Sequence, residues 1–140
     1  MQFIQIDIAR FEELAVLHRA YKEAIGEEPP TQADLDGLLA AMERGKILFY
    51  GCLNDDGRLI GCCSVSPTFS TFNYARAGVF EDFYIVPECR GQGIARKLVA
   101  FAVQESGVSS LTVGCADCDL EMYKALGFSI PLGNMLSYDL

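Results

Sequence analysis

Residues 87–98, PECRGQGIARKL, constrain this chain more than any other stretch. The run before them, Val79 to Val86, reads as a long central strand broken by Pro87. The run after them carries a helical stripe at Ile94, Leu98, Phe101 and Ala102, which predicts a helix from about Gly93 to Ser106, stopped by Gly107. A helix N-terminus leaves its first backbone N–H groups unpaired and partly positive, so a loop with no side-chain bulk lets a phosphate sit directly on those donors. Gly91 and Gly93 supply the room, and Arg90, Arg96 and Lys97 add cations able to hydrogen-bond the same anion. Close packing of helix on strand accounts for the glycines equally well, so spacing alone leaves both readings open. Two other glycine loops do not fit. No Gly-Lys-Ser/Thr ends a nucleotide P-loop here, and the third small residue of a dinucleotide fingerprint is replaced by Arg96.

Around this loop the hydrophobic period sets the remaining elements. Gln2 to Ile8 alternates like a half-buried strand. Phe11, Leu14, Ala15, His18, Tyr21 and Ile25 then form a helical stripe ended by Gly26 and Pro29-Pro30. His18 lies on that stripe and reads as a packed helix residue rather than a base. Thr31 with Asp34 marks a second helix start, with Leu35, Leu38, Leu39 and Met42 as its inner face up to Gly45. Asn54-Asp-Asp-Gly57 is turn chemistry joining strands 46–53 and 58–65 into a hairpin, followed by an expected polar and aromatic loop with ragged strand ends over 66–78. Beyond the central crossover, 111–115 reads as a short strand, 120–126 as a short helix, and 128–140 as a terminal hairpin around Pro131 to Asn134. The order β α α β β β α β α β β places the chain in a mixed α/β class, with helices on a mostly antiparallel single sheet. At 140 residues one domain, 1–140, is expected.

Composition narrows the partners. A formal net charge of −8 argues against nucleic acid and for a cationic ligand. No apolar stretch approaches the roughly 20 residues that cross a bilayer, and no leader pattern opens the chain, so no membrane association and a cytoplasmic location are expected. Of the six cysteines, Cys62 and Cys63 are adjacent and must point to opposite faces of a strand. With one histidine there is no finger-type ligand set, and buried free thiols rather than a metal site are expected. Cys115-Ala-Asp-Cys118 has the spacing of a redox pair, which keeps that rival reading alive.

EDFYIVPECRGQGIARKL, residues 81–98, resembles motif A of the GCN5-related N-acetyltransferase (GNAT) family: Arg or Gln, two residues, Gly, one residue, Gly or Ala. Here those positions are Arg90, Gly93 and Ala95. LEMYKALGF, residues 120–128, resembles the family's second landmark, a tyrosine four residues before Gly-Phe on a short helix. The resemblance implies a GNAT-like fold and acetyl-CoA as co-substrate. Its diphosphate is then expected on the loop Arg90, Gly91, Gln92, Gly93, Ile94, Ala95 and Arg96, and its pantetheine arm along Phe83, Tyr84 and Ile85 by strand addition. The same resemblance implies a splay and bulge between the strands at 79–86 and 111–115. It also gives Glu81 as base, with Asp82 in reserve and facing the other way by strand alternation. A backbone N–H near Phe83 or Tyr84 polarises the carbonyl, and Tyr123 is the acid protonating the leaving thiolate. Many relatives carry an asparagine seven residues before that tyrosine, where this chain has Ala116.

For the acceptor, SPTFSTFNY, residues 66–74, is similar to the aromatic loop of relatives that acetylate polyamines and other small amines. Tyr21, Glu27 and Glu28 stand near the expected entrance. A primary amine on a small, polyamine-like or amino-acid-like molecule is therefore expected, transferred to directly. The alternatives are a catalytically inactive CoA-binding sensor or interaction module of the same fold, or a loop serving another nucleotide. Pairing of family members through their last strands makes a homodimer a further expectation.

Overall fold

The structure, a computed structural model, describes residues 1–140. It holds five strands in the order β1-β2-β3-β4-β5: β1 Gln2–Ile6, β2 Leu48–Leu53, β3 Leu59–Ser70, β4 Ala75–Ile85 and β5 Ser110–Val113. The first three pairings are antiparallel; β4 and β5 run parallel, joined by helix α3, Ile94–Ser106. Helices α1, Phe11–Ala24, and α2, Gln32–Glu43, lie between β1 and β2 in sequence, and the short α4, Leu120–Ala125, follows β5. The mixed α/β, mostly antiparallel sheet expected from the sequence is thus the observed architecture.

Local chemistry accounts for the element ends. Thr31 and Asp34 form a reciprocal capping box at α2: the Thr31 hydroxyl accepts from the Asp34 N–H at 3.1 Å, and the Asp34 carboxylate accepts from the Thr31 N–H at 2.8 Å. The backbone donor holds the Asp34 carboxyl below the ordinary aspartate range. In the β2–β3 turn the Asn54 side chain accepts from the N–H groups of Asp56 and Arg58, and Gly57 takes the left-handed conformation.

Apolar alternation then builds one core on each face of the sheet. Leu14 and Leu17 of α1 meet Ile6, Phe49, Leu53, Leu59 and Cys62 on one face; Leu98, Val99 and Ala102 of α3 meet Tyr50, Cys63, Val65 and Phe80 on the other. Cys62 and Cys63 do point to opposite sides, and burial pushes both thiols up, so they remain neutral packing groups.

Three segments differ from the sequence reading. Residues 66–78 are not a loop: β3 runs on to Ser70 and β4 starts at Ala75, with residues 71–74 as the turn. The polar character there reflects exposure rather than irregularity. Pairing of β2 with β3 ends at Leu48 opposite Val65, so Pro67 sits where β3 has become an edge and needs no N–H. Phe69 and Tyr74 meet edge to face across the turn.

Residues 128–140 form no strands, and Ile130, Leu132, Met135, Leu136, Tyr138 and Leu140 lie exposed. A two-stranded hairpin has little stability of its own, and no further layer covers this one. Ile25, placed on the α1 stripe by spacing, caps the helix and is exposed; Leu17 is buried instead.

Candidate active site

Pairing between β4 and β5 runs only from Ala77 opposite Ser110 to Phe80 opposite Val113. Beyond Phe80, β4 continues through Glu81, Asp82, Phe83, Tyr84 and Ile85 with no partner on that side. The sheet is therefore split by a cleft whose wall is the free backbone edge of β4. On the other side, toward β3, the register jumps: Cys62 opposes Tyr84 and Ser64 opposes Glu81, leaving Asp82 and Phe83 opposite Cys63 alone. This is a β-bulge, and Asp82 adopts φ +54 within it. It lies on the β3 side of β4, whereas the resemblance placed it between β4 and β5.

The bulge resets which side chains share a face. Strand alternation turns Asp82 away from Glu81, but the extra residue cancels that alternation. The Asp82 carboxylate faces α1, accepts a hydrogen bond from the buried Ser64 hydroxyl at 2.6 Å, and stands 3.9 Å from His18 Nδ1. Both Glu81 and Asp82 lie close enough to the Tyr21 phenol on α1 to help raise its pKa, after the larger effect of burial. No signal in the sequence marks this, because a non-glycine residue at positive φ leaves no compositional trace.

At the C-terminal end of β4, the glycine loop behaves as the spacing suggested. Gly91 and Gly93 have φ +76 and +77, and a Cβ built on either meets no atom within 4 Å, so the cradle over them is open. The N–H groups of Gly91, Gln92 and Gly93 donate to no protein acceptor, and α3 has neither a side-chain cap nor an acidic residue in its first turn. That donor set, at the positive end of a helix, fits a diphosphate.

Ile94 is buried against Cys52, Ile60 and Ile85 and pins the helix start, with Ala95 packed beside it. The two arginines carry structural contacts of their own. Arg90 Nε donates to the Ile85 carbonyl at 2.8 Å and its guanidinium stacks over Tyr84; an Arg96 amino group donates to the Ala125 carbonyl at the end of α4 at 2.6 Å.

Tyr123 approaches the cleft from the α3 side. Its ring packs edge to face on Phe80 and Phe128, which holds it beside the last paired residue of β4. Burial, with Tyr21, Asp119 and Cys115 adding to it, pushes the Tyr123 phenol up to about 12. Tyr21 thus acts electrostatically on Tyr123, as both β4 carboxylates act on Tyr21. Phe83 packs on Phe80 on the α3 side, and Tyr84 on the α1 side. Ala116 sits in extended backbone ahead of a short 3-10 turn, its carbonyl accepting from the Asp119 N–H. Cys115 and Cys118 are exposed free thiols.

With this geometry in place, the likenesses to known proteins can be set beside it. Residues 45–130, more than half of the chain, match the acetyltransferase (GNAT) domain family. Over 98 residues the chain is 35% identical to the thialysine N-epsilon-acetyltransferase of Bos taurus, a stretch covering 59% of this chain and 58% of that protein. The chain thus spans little more than half the length of that relative. Among solved structures, "a probable acetyltransferase" superposes with TM-score 0.83 at 23% identity over 100% of both chains. A "predicted acetyltransferase with acetyl-CoA from Clostridium acetobutylicum" superposes with TM-score 0.79 at 16% identity, over 99% of this chain and 95% of that one. At these identities the two structures establish the fold.

Proposed function

The chain belongs to the GNAT acetyltransferase family, and from that membership we propose that it is an acetyl-CoA-dependent N-acetyltransferase acting on a primary amine of a small cationic molecule. The observation that carries the reading is the coincidence, at one end of β4, of an uncapped glycine-rich helix start with an unpaired strand edge. The first takes a diphosphate, and the second takes an extended arm as an added strand.

When bound, acetyl-CoA supplies the acetyl group activated as a thioester. The chain's own residues do the rest. The free N–H groups of Gly91 to Gly93 hold the diphosphate, and Phe83, Tyr84 and Ile85 offer main-chain hydrogen bonds along the cleft. An alkyl ammonium of pKa about 10 must lose a proton before it can attack. We assign that step to Glu81; its exposure at the unpaired end of β4 and its effect on Tyr21 support the reading. In this reading Tyr123, kept neutral by burial, gives a proton to the departing sulfur, and an N–H of Phe83 or Tyr84 polarises the carbonyl oxygen.

The acceptor class rests on charge and on likeness. The net charge is −8, Glu81, Asp82 and Glu27 act on Tyr21, and the bovine relative's name refers to a lysine analogue. No helix is long and apolar enough to cross a membrane. Six unpaired cysteines fit a reducing compartment and favour the cytoplasm. The apolar residues exposed along 130–140 favour a homodimer.

Thiol release from acetyl-CoA, followed across polyamines, lysine analogues, amino sugars and peptides, tests the reading. Release with a small diamine or amino acid, and a CoA-dependent rise in melting temperature, are expected. Binding with no release from any amine would instead establish a sensor. A melting temperature and amide NMR signals of residues 90–96 unmoved by saturating CoA would remove the donor site altogether.

A further inference from the structure

The arrangement on the α1 side of the bulge exceeds what packing requires. Ser64 is fully buried, yet its hydroxyl is given wholly to Asp82. Asp82 is held at φ +54, a conformation a non-glycine residue rarely adopts unless its surroundings fix it. With Oδ2 occupied by Ser64, Oδ1 is left for His18, whose side chain is 12% exposed. One helical turn further along α1, the Tyr21 ring lies tilted at 6.2 Å from His18 and feels the charge of both Asp82 and Glu81.

Away from the cleft, His18 also lines a cavity of about 480 Å³ between α1 and α2, with Lys22, Glu28 and Asp34 on its walls. His18 is the chain's one histidine, and it stands between the Asp82 carboxylate of β4 and that polar cavity.

We propose that His18, oriented by the Ser64–Asp82 pair, accepts a proton from the acceptor ammonium and discharges it into the α1–α2 cavity. The inference rests on the acetyl-transfer reading above and, in place of Glu81, gives His18 the proton that the ammonium loses. Acetylating R–NH3⁺ removes two protons from nitrogen. One ends on the leaving sulfur, supplied through Tyr123, and the other must reach solvent. With Nδ1 on the Asp82 side, at 3.9 Å, Nε2 is the accepting atom. The ammonium N–H bond breaks, an Nε2–H bond forms, the Asp82 carboxylate offsets the imidazolium charge, and water in the cavity then takes the proton.

An imidazole is matched to this duty near neutral pH, where carboxylates as a class are already ionised and weakly basic. Burial lowers the His18 pKa, Asp82 raises it, and Lys22 lowers it again, so the ring is neutral and able to accept in the resting enzyme at neutral pH. The other groups that face it are Tyr21 on its own helix, Glu28 and Asp34 across the cavity, and Cys62, whose Sγ contacts the Asp82 carbonyl. Asp82 and Ser64 act through His18 and are positioning residues.

The test combines kinetics with the clean NMR titration that a single histidine allows. In His18→Asn, kcat/KM for the best amine should fall about 10- to 100-fold at pH 7. The deficit should shrink by pH 9.5, where more of the amine is already neutral, and the acidic limb of the profile should move. In Asp82→Asn the His18 proton resonances should titrate at lower pH than in wild type, and Ser64→Ala should show part of that shift. A His18→Asn enzyme within about threefold of wild type, with an unmoved pH profile, would overturn the proposal. So would a His18 titration indifferent to Asp82→Asn, a result readable without activity. A loss confined to Glu81→Gln would overturn it in favour of Glu81 alone. Wild-type protein that acetylates no amine, but whose His18 titration follows Asp82, would overturn the acetyl-transfer reading rather than the coupling.

Discussion

Tyr123 shows how one residue takes its chemistry from its neighbours. Phe80 and Phe128 clamp the ring, and the desolvation they cause raises the phenol to about 12. A raised value keeps the proton on the oxygen, so the group stays a competent acid throughout the range in which alkyl amines become neutral. Removing only the hydroxyl, in Tyr123→Phe, should leave the ring contacts and the CoA-induced melting shift intact while lowering kcat about 100-fold, within the usual span for a general acid. Steady-state kinetics from pH 7 to 10 checks this, and the wild-type rate should show no loss from phenol ionisation across that window. Should the phenylalanine enzyme keep its kcat, Tyr123 is a packing residue and nothing more. The tyrosine was legible in the sequence because it stands at a fixed distance from Gly-Phe. The facing of Asp82 was not, because strand parity is a rule about regular strands and a single extra residue inverts it.

At the scale of elements, the parts whose backbone is dictated locally were the legible ones: the Thr31–Asp34 box, the Asn54–Gly57 turn, and the strand-loop-helix unit around Gly91 and Gly93. The extended β3–β4 hairpin was hidden, since its outer half is polar for reasons of exposure, and pairing between residues as distant as Thr68 and Ala77 is not encoded in either segment alone. The two ends of α3 allow an internal control on the loop. Gly93 and Gly107 both sit at positive φ, +77 and +67, and a Cβ on either meets nothing within 4 Å. Gly93→Ala and Gly107→Ala should therefore cost similar stability, about 1 kcal/mol, from backbone strain alone. Only Gly93→Ala places a methyl over the free N–H groups, so only it should lose most of the CoA-induced rise in melting temperature, with Kd weakened about tenfold or more. Equal CoA stabilisation in the two variants would mean that the anion does not rest on this loop.

For the molecule as a whole, the segment left unexplained by the two cores is 128–140. Its apolar side chains are more exposed than almost any others in the chain, Ile130 at 80% and Leu136 at 91%, and β5, whose four residues pair with β4 alone, leaves a second edge open. Soluble monomers seldom display so many large apolar residues in one contiguous run, and an open strand edge is a template for pairing. A second copy of the chain brings the same tail and the same open strand, so two copies related by a twofold axis satisfy both at once. Sedimentation or light scattering should accordingly give a dimer at tens of micromolar, and a chain ending at Ser129 should run as a monomer with its CoA-induced melting shift retained, because the diphosphate loop lies at the far end of β4 from the tail's partner strand. A full-length chain that remains monomeric at that concentration would leave the tail's apolar face without this partner and would reject the dimer.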